Sequence, residues 1–172
     1  MDIDELINKG ELKRQPFSGS FAVDYMAKAR KNLAVMKLLE GIQNNPETRV
    51  HVGLSKDVNL SDWVIITGYY SMYMAAQAAL ARIGYLAKSH AAMQAAIKVF
   101  YVDKMLVEPK YLKILEEANI RQEQVKQFRE ARAQRQTAQY EISIRTLDEE
   151  AKKIIDTAFD FVNRFDEAIG KR

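Results

Sequence analysis

Arg129, Arg132 and Arg135 recur at three-residue steps within RQEQVKQFREARAQRQTAQYEI, the segment that starts at Arg121. On a helix, residues three apart lie on neighbouring turns of one side, so this spacing makes a stripe of guanidinium groups. Their forked donors match the oxygens of a phosphate. From Arg121 to Arg135 five basic residues, Lys126 included, stand against Glu123 and Glu130. The same pattern also describes a solvated helix face balanced by its glutamates.

Other residue types with chemistry to offer are few. His51 and His90 are the only histidines, neither stands in a His-Glu-x-x-His spacing, and there is no cysteine. No metal ligand set and no thiolate nucleophile is expected. His90 reads either as a residue at the start of a helix with its ring bonded to backbone, or as a ligand or proton-transfer group. The sequence carries no P-loop, no Gly-rich dinucleotide fingerprint and no Ser nucleophile elbow, so the best-marked NTP, NAD and hydrolase sites are excluded and no cofactor is expected.

The elements that must position these residues are helical. Seven Gly and three Pro in 172 residues, with abundant Ala, Leu, Lys, Glu and Gln, favour helices over a sandwich or barrel. Residues 1–20 read as a loosely structured segment with at most one helical turn. A first amphipathic helix begins near Phe21, follows Ala22, Tyr25, Met26, Ala29, Leu33, Met36 and Leu39, and ends at Gly41. Asn44, Asn45 and Pro46 mark a break, and the run to Asn59 reads as a long loop. Trp63 to Ala81 carries no charged residue, yet Ser61 before it reads as an N-cap, with Leu60 and Ile65 as a hydrophobic staple, and Gly84 as a stop. Those caps, together with Thr67, Tyr69, Tyr70, Ser71, Tyr73 and Gln77, make it the central helix of a bundle, not a membrane span. A short apolar helix follows Ser89 and His90, then a brief one at Tyr111 to Leu115. The polar arginine-bearing segment comes next, with its narrow seam of Val125, Phe128, Ala131, Ala138 and Ile142. Thr146 and Glu149 form a capping box for a last helix that Gly170 ends.

The expectation is one all-α domain over residues 1–172, an up-and-down bundle of about five helices. A formal charge of +3 leaves any nucleic-acid reading to a local patch. The N-terminus MDIDELINKG lacks the basic-then-apolar order of a signal peptide, which gives a cytoplasmic expectation with no membrane partner.

From about Phe21 onward the order of elements resembles the HEPN domain family. YYSMYMAAQAAL is similar to its aromatic-then-small second helix, and Arg135-Gln-Thr-Ala-Gln-Tyr140 is similar to its signature of Arg and His separated by four to six residues. The resemblance implies a helical bundle acting as a homodimer, with the signature residues of both subunits in one cleft. It further implies a metal-independent endoribonuclease or RNA-binding protein, often a toxin paired with a minimal nucleotidyltransferase antitoxin. On that reading Arg135 and Tyr140 hold the catalytic positions, and Gln136, Gln139, Arg132, Arg129, His90 and Tyr70 contact substrate. Tyr140 stands where the family has His, and a phenol of ordinary pKa near ~10 is a poor base at neutral pH, although it can donate to a phosphate. A non-catalytic module that docks a nucleotidyltransferase or a nucleotide is the alternative.

Overall fold

The charge-free stretch folds as the central helix of a helical bundle. The structure is a computed structural model that describes residues 2–15, 19–134 and 140–171, with side chains described for 2–15, 20–127 and 147–171. In chain order the elements are α1 (Ile3–Asn8), β1 (Leu12–Arg14), α2 (Gly19–Asn44), α3 (Pro46–His51), α4 (Ser61–Arg82), β2 (Tyr85–Ala87) and α5 (His90–Ile97), which runs on as a π-helical turn over Lys98–Val102. Then come α6 (Pro109–Gln134) and α7 (Tyr140–Gly170). The all-α expectation holds. No helix among the described residues is long and apolar enough to cross a membrane.

The four long helices run up and down, and their contacts set the order. Gln43 at the end of α2 accepts from the backbone N–H of Leu60, 3.0 Å away at the start of α4. The Ser61 hydroxyl donates to Asp148 of α7 at 2.5 Å, so α7 runs alongside α4 in the same direction. Tyr111 meets Asp160 and Arg121 meets Glu150, which sets α6 antiparallel to α7. Gly68 lies where α4 approaches both α2 and α7: a Cβ built there would sit 3.0 Å from Met36 Sδ and 3.1 Å from Ile154 Cγ1. Further along, Ala75, Ala76, Ala78, Ala79 and Ala81 are buried, their small side chains allowing α4 close neighbours on several sides. Phe161 and Phe165 stack on α7 with centroids 4.4 Å apart, and Tyr111 meets Phe161 edge-on.

Several boundaries differ from the sequence expectation, each for a local reason. Residues 1–20 hold more than a turn, because β1 pairs antiparallel with β2 through Leu12↔Ala87 and Arg14↔Tyr85. Gln77 fixes that ribbon to α4, donating to the Ala87 carbonyl at 2.6 Å and accepting from its N–H. The stretch read as a long loop contains α3. Asn45 caps it by accepting from Thr48 N–H, and Pro46 occupies its first turn, where no N–H is needed. α2 passes Gly41 and ends at Asn44. At the start of α4 Leu60 is the cap residue, not Ser61, whose hydroxyl is turned to Asp148. The exit of α4 is as expected, with Gly84 at φ +83°. The two helices expected after Pro109 are one, α6, held by a seam of Tyr111, Leu115, Ala118 and Val125. α7 starts at Tyr140, so Thr146 lies inside the helix and not at its start.

Candidate functional site

α4 supplies a row of phenols and α5 supplies a histidine opposite them. Ser89 caps α5 by accepting from Ala92 N–H and also donates to Glu11 beside β1, which fixes where His90 enters the helix. The Tyr69 hydroxyl and His90 Nδ1 share a hydrogen bond of 2.8 Å, and the edge of the imidazole meets the Tyr73 ring at 5.3 Å between centroids. Tyr70 packs on Tyr69 at 5.3 Å and is 41% exposed, whereas Tyr69 is buried. Burial pushes the Tyr69 phenol far above its ordinary pKa, reinforced by Tyr73, Tyr70 and Glu123 of α6. Burial raises Tyr73 as well, with Tyr25 of α2 adding to it. Both phenols are therefore neutral across the physiological range. They serve as hydrogen-bonding and packing groups, not as bases.

Two of the residues expected to contact substrate, His90 and Tyr70, thus flank one buried phenol, Tyr69. The arginine stripe is carried by α6. Beyond Glu123, whose charge reaches Tyr69, α6 continues for eleven residues to Gln134, about 16 Å of helix. Arg129 and Arg132 stand six and nine residues after Glu123 on that helix. Arg129 and Arg132 lie on the last turns of α6 and Tyr140 is the first residue of α7, with side chains outside the described set; Arg135, Gln136 and Gln139 lie outside the described residues. Arg121 does not extend the stripe, because its guanidinium pairs in charge with Glu150, 2.7 Å from Nε, and lies 3.7 Å from Glu117.

No family model, curated protein or solved structure matches the chain.

The backbone on either side of residues 135–139 sets where two long helices end and begin. Asp148 stands level with Ser61, the first residue of α4, and α7 begins eight residues earlier, about 12 Å before that level. The end of α6 and the start of α7 therefore continue past the beginning of the central helix, joined by residues 135–139. Asp148 itself, accepting from both Ser61 Oγ and Asn59 Nδ2, is a positioning residue that the sequence did not single out. Its signal is hidden, because an Asp in the first turns of an expected helix reads as an ordinary response to the helix dipole.

Proposed function

We propose that the chain is an HEPN-type, RNA-binding homodimer that contacts single-stranded RNA at the junction of α6 and α7. Arg135, Gln136, Gln139 and Tyr140 form the contact, and Arg129 and Arg132 lead the phosphate backbone towards it. The observation that carries this reading is the unbroken course of α6 to Gln134, followed by α7 from Tyr140. It supports a basic helix end beside the start of the next helix, with five residues between them. A phosphate held by forked guanidinium donors needs no metal, and RNA supplies its own nucleophile in the 2′-hydroxyl. Where the family has an imidazole this chain has a phenol, so proton transfer at neutral pH is slow and binding exceeds cleavage.

The test is a labelled single-stranded RNA titrated in chelator, with cleavage followed on a gel. Wild-type protein binds, and Arg135→Ala weakens binding by about 1.5–3 kcal/mol, the range for a hydrogen bond to a charged group. Absence of binding at low salt refutes the reading. Tyr140 in place of His favours one second reading, a non-catalytic module that docks a minimal nucleotidyltransferase. Co-purification of such a partner with wild-type protein, but not with Tyr140→Ala, would establish it.

A further inference from the structure

α2 and α7 both pack on α4, and α4 stops at Arg82. Near the start of α4 the three helices meet closely at Gly68, with Met36 on one side and Ile154 on the other. Towards its end the contact between α2 and α7 passes to one long side chain. Arg30 donates to Asn163 Oδ1 at 2.9 Å and to Asp166 Oδ2 at 2.6 Å. From this bridge to the end of the bundle the two helices leave an open cleft of about 440 Å³. That volume lies in the ~300–1,000 Å³ range of small-molecule sites.

The walls of the cleft are aliphatic over most of their length. Val23, Met26 and Ala27 of α2 face Ile169 in the last turn of α7. From Ala22 to Arg30 the α2 wall runs about 12 Å. Two cations complete the lining. Arg30 is matched by Asp166, whereas the Arg82 guanidinium has no ion-pair or hydrogen-bond partner among the described residues. A basic residue in a last turn complements the helix dipole. The carbonyls nearest to Arg82 are nevertheless already engaged: Leu80 accepts from Ile83 N–H at 3.1 Å and Ala81 from Gly84 N–H at 3.0 Å. The guanidinium thus keeps its donors for a ligand.

We infer that the cleft between α2 and α7 binds a small aliphatic monocarboxylate, with the carboxylate on Arg82 and the chain along Val23, Met26 and Ala27. A carboxylate offers two oxygens to the guanidinium fork and the single negative charge that balances it. A phosphate monoester would bring a charge of about −1.5 to −2, and the excess would face Asp166. An amine would meet both arginines. An RNA strand needs a row of cations to follow its backbone, and of the two arginines here one is already taken by Asp166. The hydrocarbon chain covers the aliphatic walls, and because the cleft is open about half of each methylene leaves water. The site is independent of the RNA contact at the junction of α6 and α7.

The test is calorimetry of the full chain with octanoate, paired with amide NMR shifts. Octanoate should bind with Kd on the order of 0.3 mM. Hexanoate and butanoate should bind more weakly, by about twofold for each methylene removed, and octylamine not at all. Shifts should fall on residues 22–30, Arg82 and residues 166–170. Arg82→Gln should weaken octanoate about fivefold or more and abolish its advantage over octanol. Ala27→Glu, on the exposed wall of the cleft, should abolish binding, and Leu38→Ala, on α2 beyond the cleft, should leave it unchanged. Circular dichroism checks that each variant keeps its helices. Failure of octanoate to bind at up to about 5 mM, shifts that fall away from the cleft, or equal binding of octanoate and octanol overturns the proposal. A peptide with a C-terminal leucine that binds where octanoate does not also overturns it, and gives the cleft to a protein ligand.

Discussion

Gly68 fixes the distance between three helices, because Met36 and Ile154 occupy the space that a methyl group would take. Gly68→Ala gains helix propensity but must displace branched and sulfur-bearing core atoms. Overpacking wins, and stability falls by about 1–3 kcal/mol, read from denaturant midpoints. Tyr111 gives a pH-dependent prediction. Burial, with the hydrogen bond to Asp160 and its charge, pushes this phenol up to about 12. The unfolded chain ionises it near ~10, so its contribution is complete below that pH and is lost as pH climbs towards 12. Tyr111→Phe should flatten the alkaline fall of the melting temperature relative to wild type. At this scale the sequence is partly legible: Tyr69, Tyr70 and Tyr73 read together as polar groups of the central helix, and His90 as a residue at the start of another. Their meeting was not legible, because it depends on how β2 turns the chain back so that α5 starts beside the middle of α4.

At the scale of elements, α2 could be read closely from apolar periodicity and α4 from its charge-free run, with Gly84 as the stop. α6 could not, since Glu116, Glu117, Asn119 and Arg121 interrupt the pattern. Tyr111, Leu115, Ala118 and Val125 nevertheless keep a helical seam through the gap. The short ribbon was hidden for another reason: three-residue strands show no usable alternation, and Leu12 finds Ala87 only across a long separation in sequence. Capping between helices was also out of reach. Asp148 accepts from Ser61 and Asn59 at the start of α4, so Asp148→Ala should leave the buried Ser61 hydroxyl without that acceptor and cost about 1–3 kcal/mol. Hydrogen exchange should show the loss first in the opening turn of α4, while the Phe161–Phe165 region stays protected.

For the whole molecule, a helical bundle was legible from the apolar sides of α2 and α7 and the charge-free run of α4, although α6 read as two segments. The basic end of α6 was legible as charge, while its placement beyond the first residue of α4 emerged only from the contact between Asp148 and Ser61. The proposed RNA contact runs through the phosphates held by Arg129, Arg132 and Arg135 at this end. The direct measurement is fluorescence anisotropy of single-stranded RNA in chelator over a salt series, for wild type and for the triple alanine variant of these arginines. For single strands each phosphate contact contributes roughly 0.7 to the slope of log K against log salt, so the variant should bind more weakly with a slope reduced by about 2. An unchanged affinity and slope would contradict it.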